Sequence, residues 1–202
     1  LHDALPISGD EYFWQCFFLA SITGANRRLG ALAYLVRSLP KLEARSRSGS
    51  VPNDQEPENG TEIITTPEPG LLLRCFAAGL KDDQLLIQRG YLDLLVTHLP
   101  LHATVFQNRV KADDLELLMT AASGVVARRD MSLNRRLWSW LLGPEPVAGS
   151  EAESGPDPAS ATPRDRALSI SATRTSYFEE FGLQPLTQAI LKMIARDRKS
   201  VV

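Results

Sequence analysis

The sequence predicts an all-α protein and, within that class, an α-solenoid of the HEAT or armadillo kind built from antiparallel helix pairs. Apolar residues recur at helical spacing through most of the 202 residues, and they rarely alternate as strand residues would. Two segments also repeat, because LGALAYLVRSLP at residues 29–40 and RGYLDLLVTHLP at residues 89–100 match at six of twelve positions. Repeated helical pairs whose apolar faces need neighbours to cover them indicate a solenoid.

Three predicted helix pairs share one plan, in which an apolar first helix and a tight polar turn lead to a second helix that ends at Leu-Pro or Gly-Pro. They are predicted at residues 8–42, 70–103 and 110–143, with further helices at residues 173–196. Segments 43–69 and 144–172 are rich in proline, glycine, serine and acidic residues. Such segments bury little apolar surface, so both are predicted to be disordered insertions.

Short polar residues at the predicted helix starts are expected to cap them by accepting backbone N–H bonds. In the second pair the cap lies in the turn at residues 81–83. In the third pair, Asp113 or Asp114 is predicted to cap the first helix and Ser132 the second. Thr173 is predicted to cap a helix at residues 174–181, and Pro185 suits the first turn of the last helix.

Each second helix is expected to bury one row of apolar side chains, its buried stripe. In the third pair this predicted stripe is Leu133, Leu137, Trp140 and Leu141. In the first pair the equivalent stripe is Leu29, Leu32, Ala33 and Val36. Gly30 is predicted to allow close approach of another helix. Trp138 lies at the stripe's edge, where it either covers a neighbouring repeat or stays partly exposed.

Both ends resemble translated sequencing adapter rather than natural protein. Residues 1–7 (LHDALPI) match one reading frame of a common short-read adapter, and residues 197–202 (DRKSVV) match its reverse complement. We therefore expect both ends to be artefacts and residues 8–196 to be an internal fragment of a longer protein.

Composition excludes several classes of protein. The formal charge of −2 gives no reason to expect nucleic-acid binding. Cys16 and Cys75 lie in apolar helical contexts, which predicts inert core thiols, no disulfide framework and a reducing, cytoplasmic setting. No apolar run approaches the ~20 residues of a membrane-spanning helix, so no transmembrane segment is predicted.

No pattern predicts catalysis, a cofactor or a metal, and we expect a protein that is not an enzyme. His98 and His102 have the spacing of a helical metal pair, but Pro100 breaks the helix between them. The sequence contains no nucleophile elbow, phosphate-binding loop or dinucleotide fingerprint.

Arginine pairs and one tryptophan are the candidate interaction residues: Arg27, Arg28, Arg128, Arg129, Arg135, Arg136 and Trp138. The arginines flank turns between first and second helices, so stacked pairs would align them along one edge. That edge is suited to anionic lipid headgroups or an acidic peptide. The alternative is a solvated turn in which the arginines pair with acids of adjacent repeats.

The segments FWQCFFLASITGANRRLGALAYLVRSLPKL, LLIQRGYLDLLVTHLPLH and DLELLMTAASGVVARRDMSLNRRLWSWLLGPEP resemble the N-terminal region of the Dopey family. The resemblance implies a very large cytoplasmic protein, peripheral on Golgi and endosomal membranes, that acts in endosome-to-Golgi transport. It also implies a Mon2-type protein, a phospholipid flippase and kinesin light chain as partners, and phosphoinositide binding. No residue-level motif for these contacts carries over.

The sequence thus predicts a non-enzymatic scaffold fragment that functions by binding. One alternative is another helical-repeat protein, such as a transport receptor or an enzyme-regulatory scaffold. A rival of another class is a helical enzyme regulator or lipid-handling enzyme whose active site lies outside this sequence.

Overall fold

In a computed structural model, the described residues are 9–42, 58–144 and 163–200. Their helices are α1 (Gly9–Thr23), α2 (Arg28–Ser38), α3 (Glu58–Thr65), α4 (Gly70–Leu80), α5 (Leu85–His98), α6 (Thr104–Asn108), α7 (Ala112–Gly124), α8 (Met131–Leu141), α9 (Pro163–Tyr177) and α10 (Leu183–Ser200). These ranges contain no strand, so the predicted all-α class is confirmed for them. None of their helices combines the length and apolar character needed to cross a bilayer.

The helices of the three predicted pairs pack in two rows. The first helices form one row, in which α4 packs against both α1 and α7, and α7 also packs against α10. The second helices form the other row, in which α5 packs against both α2 and α8. The short α6 lies between the second and third predicted pairs, at residues to which the sequence assigns no element.

One contiguous apolar core fills the space between the rows. At its centre the rings of Phe76 on α4 and Tyr91 on α5 meet edge to face, 5.3 Å apart, and neither is exposed. The Tyr91 ring fits there because α4 presents Gly79, where an added Cβ would lie 2.3 Å from the ring. The indole Nε1 of Trp140 donates to the carbonyl oxygen of Leu99 at 2.8 Å, so its burial leaves no unpaired donor.

The buried stripe predicted for α8 is confirmed. Its members are at most 4% exposed: Leu133, Leu137, Trp140 and Leu141. Trp138 is 53% exposed, which favours the prediction that it stays partly exposed over the alternative that it covers a neighbouring repeat.

The buried stripe predicted for α2 is wrong at three of its four positions. Leu32 is buried, but Leu29 and Val36 are 47% and 59% exposed, and Ala33 is exposed as well. The residues that α2 buries are Ala31, Leu32 and Leu35. The difference is tertiary, because the face that α2 buries is the one that packs on α5, where Leu32 lies against Gly90.

The close approach predicted at Gly30 occurs at Gly90 instead. Apart from its chain neighbours and the backbone of its own helix, no atom lies within 4 Å of a Cβ added at Gly30. A Cβ added at Gly90 would lie 2.4 Å from Cδ2 of Leu32. The contact between α2 and α5 therefore requires the glycine of the second repeated segment, not that of the first.

The first predicted insertion, 43–69, contains the helix α3. This helix packs against α1 and α4, and Ile64 is only 3% exposed. The guanidinium of Arg109 donates to Oγ1 and to the carbonyl oxygen of Thr65, at 3.0 and 3.1 Å. The prediction of disorder is wrong for residues 58–65 because polar composition on both sides concealed a short apolar segment. Residues 43–57 lie outside the described residues.

The second predicted insertion, 144–172, overlaps α9. This helix begins at Pro163, where a fixed φ suits the first position, and Thr173 lies inside it rather than capping a helix. Residues 145–162 lie outside the described residues.

A π-helical turn at Phe178–Gly182 joins α9 to α10 without a break. Pro185 has no N–H for the carbonyl of Phe181, and the wider turn relieves the clash between that carbonyl and the proline ring. The helix boundary predicted near residue 181 is therefore a bulge within one helical run.

The cap of α8 is Asp130 rather than the predicted Ser132. Oδ1 of Asp130 accepts the backbone N–H groups of Ser132 and Leu133 at 2.9 and 3.0 Å. Ser132 lies one residue inside the helix and donates its hydroxyl to the same oxygen. Asparagine, aspartate and serine cap about equally well, so the sequence alone does not decide between them.

The other predicted aspartates also differ in detail. Asp113 and Asp114 lie in the first turn of α7, where their charge complements the helix dipole, and neither provides the cap. In the α4–α5 turn, Oδ1 of Asp82 accepts the N–H of Gln84 at 3.0 Å. The turn therefore forms where it was predicted, but the cap position of α5 is Gln84 rather than a residue of the turn, and no side chain caps the helix.

Candidate interaction surfaces

Arg28 begins α2, and three acceptors hold its guanidinium. Nε and Nη2 donate to the carbonyl oxygens of Ser21 and Ile22 at the end of α1, both at 3.1 Å. Nη1 donates to Oδ2 of Asp82 at 3.0 Å, in the turn between α4 and α5. The two charged side chains are only 15% and 6% exposed, so this ion pair fastens the first helix pair to the second.

Arg128 reaches the same turn from the third helix pair. Its Nη2 donates to the carbonyl oxygen of Asp82 at 3.2 Å and lies 3.6 Å from Oδ1 of Asp83. The α1–α2, α4–α5 and α7–α8 turns therefore adjoin one another. We call this surface the turn edge, and its charged residues are Arg27, Arg28, Lys81, Asp82, Asp83, Arg128 and Arg129.

Besides Arg128, which is paired, three cations of the turn edge are exposed: Arg27, Lys81 and Arg129. Within the described part of the chain, none of the three makes an ion pair or a side-chain hydrogen bond. Arg129 has a φ of 53°, in the left-handed region, where the chain turns into α8. Five cations against two carboxylates leave the turn edge with a formal charge of +3.

The remaining predicted interaction residues lie on α8, away from the turns. Arg136 donates from Nε to Oδ1 of Asp93 at 2.6 Å and from Nη1 to the carbonyl oxygen of Ser132 at 3.1 Å. Arg135 is exposed and has no ion pair within the described residues. The seven predicted residues thus divide into a turn group and a helix group with Arg135, Arg136 and Trp138.

Ion pairs join neighbouring repeats, which the sequence suggests only as the alternative to an arginine edge that binds an external anion. Besides those of Arg28 and Arg128, three pairs join first to first or second to second helices: Arg74–Asp114 at 2.7 Å, Arg89–Asp130 at 2.8 Å and Arg136–Asp93 at 2.6 Å. Their partners are 40, 41 and 43 residues apart. This nearly constant separation is the sequence signal that would have identified them.

The environment of Asp130 favours its charged form. The hydroxyl of Ser132, the N–H of Leu133 and the guanidinium of Arg89 all donate to its carboxylate, and together they hold its pKa well below the ordinary value. Asp130 therefore both caps α8 and links α8 to α5.

The two histidines considered as metal ligands have separate partners. Nδ1 of His98 lies 2.6 Å from Oγ1 of Thr97, and Nδ1 of His102 lies 2.9 Å from the phenol oxygen of Tyr177. Partial burial lowers the pKa of both histidines below the ordinary value. Across residues 9–42, 58–144 and 163–200, no group of three or more potential ligands is arranged to hold a metal.

The two cysteines differ in environment, and both are free. Cys75 is buried beside Tyr91, and burial raises the pKa of its thiol to about 11. Cys16 is exposed on α1. The predicted core position is therefore confirmed for Cys75 and wrong for Cys16.

Comparison with known proteins identifies the family. The family model described as "Dopey, N-terminal" matches residues 3–146. That match begins inside the seven residues that resemble adapter, whose origin stays a prediction. No solved structure is significantly similar.

Curated relatives cover nearly the whole chain. It is 51% identical to "Protein dop1" of Emericella nidulans, over 94% of this chain and 11% of that protein. It is 30% identical to "Protein DOP1" of Saccharomyces cerevisiae, over 95% of this chain and 13% of that protein. A Drosophila melanogaster "Protein DOP1 homolog" is 39% identical over 69% of this chain and 5% of that protein. The chain spans about a tenth of the length of the first two relatives, and it belongs to the Dopey family, whose N-terminal region it matches.

Proposed function

We propose that this chain is part of a non-enzymatic scaffold that acts in endosome-to-Golgi transport, peripheral on Golgi and endosomal membranes. Family membership supports this proposal, because transport is what the resemblance to Dopey proteins implies. The activity belongs to the whole protein, of which this chain is a small part. The role of the chain is then to bind, and its surfaces are where that role is tested.

The architecture proposed for this scaffold is a HEAT- or armadillo-like solenoid. Two observations support it: the first and second helices form separate rows, and ion pairs join neighbouring repeats at nearly constant separation. In such an arrangement each pair covers the apolar face of the next.

The turn edge carries the proposal of membrane association. Arg28 and Arg128 both contact the Asp82–Asp83 turn, and those contacts bring the two arginine pairs to one edge. Arg27, Lys81 and Arg129 are the cations left for an external anion. A lysine or arginine near an anionic membrane surface contributes ~1 kcal/mol, so three give weak, salt-sensitive binding that needs partners to become stable.

Liposome flotation tests this proposal. Vesicles with and without phosphatidylinositol 4-phosphate are mixed with the wild-type chain and with the double variant Arg27→Glu/Arg129→Glu. The matched control is Arg37→Glu/Arg135→Glu, which makes the same change in charge on the outer face of the second helices. We expect only the turn-edge variant to lose binding to anionic vesicles.

Equal losses in both variants would mean that net charge, not the turn edge, drives binding. Unchanged flotation of the turn-edge variant would reject the membrane role of these arginines. Proposed partners are a Mon2-type protein, a phospholipid flippase and kinesin light chain, and pulldown with each by the full-length protein tests them separately.

A further inference from the structure

The three second helices bury their leucines in the same register. Leu35 and Leu39 of the first pair, Leu95 and Leu99 of the second, and Leu137 and Leu141 of the third are all buried four residues apart. The positions of these buried residues, rather than a match between the sequences, align the three helices. The residue after the first leucine of each pair is then equivalent in all three helices.

That equivalent residue is apolar and exposed in every repeat. Val36 is 59% exposed, Val96 is 36% exposed and Trp138 is 53% exposed. Because α5 packs between α2 and α8, the shared register and exposure place the three side chains in a row across the second helices. We call this row the apolar stripe. Packed helices lie ~10 Å apart, so the stripe is about 20 Å long.

The ends of the apolar stripe are wider than its middle. Leu29 and Met131 lie seven residues before Val36 and Trp138, which places them two turns away on the same helix faces. They are 47% and 80% exposed. Isolated exposed apolar residues are ordinary on protein surfaces, whereas neighbouring exposed apolar residues rimmed by polar ones are typical of interaction sites.

The uncompensated charges beside the apolar stripe are positive. Arg37 follows Val36, and Arg135 lies one turn before Trp138; both are exposed and have no ion pair in the described ranges. The equivalent carboxylate of the middle helix, Asp93, is already paired with Arg136. A ligand that complements this surface therefore brings apolar side chains and carboxylates together.

We propose that the apolar stripe binds an acidic linear peptide with apolar side chains about 10 Å apart. A chain in the polyproline II conformation has three residues per turn and rises ~3.1 Å per residue, so every third side chain lies on one face at roughly this spacing, with aspartate or glutamate between. A peptide fits better than a bilayer, because a peptide can place its carboxylates beside Arg37 and Arg135 and away from the Asp93 carboxylate, which is 54% exposed on the same face, whereas a continuous layer of anionic headgroups cannot avoid it. This site lies on the outer face of the second helices and does not depend on lipid binding by the turn edge.

Fluorescence anisotropy with a labelled probe peptide, ELEELEELE, tests the inference on the intact chain. We expect saturable binding to the wild type, a loss of about tenfold in affinity for Trp138→Ala, and a larger loss for Arg37→Glu/Arg135→Glu. Arg27→Glu/Arg129→Glu is the matched control and should bind as the wild type does. Unchanged urea midpoints for these exposed positions separate lost binding from lost folding.

Two control peptides separate the contributions of the probe. ESEESEESE lacks the apolar side chains and KLKKLKKLK lacks the carboxylates, and we expect neither to bind. Equal binding of the serine peptide, equal losses in both double variants, or no binding of the acidic probe would each overturn the inference. So would a Trp138→Ala variant that loses flotation with anionic vesicles but keeps its affinity for the probe.

Discussion

The paired substitutions Gly30→Ala and Gly90→Ala test how the second helices pack. The two glycines occupy the same position in the repeated segments, and both lie inside helices. Replacing a helical glycine with alanine stabilises a protein by about 0.5–1 kcal/mol, because glycine loses more conformational freedom on folding. That gain is common to the two positions, so any difference between them reports on the surroundings.

The surroundings of the two glycines predict changes of opposite sign in the free energy of unfolding. At Gly30 the new methyl group meets no atom within 4 Å, and we expect the full gain. At Gly90 it would lie 2.4 Å from Cδ2 and 3.1 Å from Cγ of Leu32, so a simple rotation of the end of that side chain does not clear it. Overpacking of this kind costs about 1–3 kcal/mol, which outweighs the gain over most of that range.

Urea unfolding followed by circular dichroism at 222 nm measures both free energies of unfolding. The variants should differ by about 1–3 kcal/mol, which for a protein of this size is roughly 2–12 °C in Tm. A double variant, Leu32→Ala/Gly90→Ala, should be less destabilised than the sum of its single substitutions, because the smaller side chain removes the clash. Equal stabilisation by Gly30→Ala and Gly90→Ala would refute the close approach of α2 and α5.

Four further outcomes follow from single contacts. Asp82→Ala should lower the free energy of unfolding in urea by about 3 kcal/mol, because it leaves the largely buried charge of Arg28 unpaired. Arg129→Gly should raise it by about 1 kcal/mol, since glycine adopts the left-handed conformation without strain. At pH 8, a thiol reagent should modify one cysteine in the folded chain and reach Cys75 only on unfolding, because burial raises its pKa. Stability should be full above pH 6.5, the ordinary histidine pKa, and fall as the pH drops from there towards the lower folded pKa values; His102→Asn should reduce that fall.

Local apolar periodicity predicts the helices of this protein well. The fold class, the three pairs and the stripe of α8 all follow from residues close together in sequence, where the helical repeat acts directly. Trp140 and Leu141 are examples, since each is buried where the helical repeat of α8 requires.

Features that depend on distant residues are missed. The face of α2 that is buried depends on its packing against α5, where Leu32 meets Gly90, fifty-eight positions later in the numbering, and no local pattern contains that contact. The helix α3 depends on Arg109 and on burial of Ile64 for its place. Its sequence neighbourhood is too polar to reveal either contact.

The candidate surfaces show the same division. Composition and spacing identify the arginines of the turn edge, but only the fold shows that Arg28 is held internally while Arg27 is exposed. The apolar stripe is missed because the sequence NRRL occurs at residues 26–29 and again at 134–137, and aligning these two occurrences equates Trp138 with Gly30. The buried leucines equate Trp138 with Val36 instead.

Packing does not explain why the repeated segments share an exposed valine. The paired leucines at 35 and 95 and at 39 and 99 are buried, so the shared core requires them. Val36 and Val96 are exposed, and a polar residue there would leave the core intact while improving solvation. Peptide binding supplies a reason for valine at both positions. Val36→Ser should therefore leave the urea midpoint unchanged and weaken binding of the acidic probe. A lower urea midpoint would mean instead that Val36 contributes to the core, and its conservation between the repeats would then be no argument for a binding stripe.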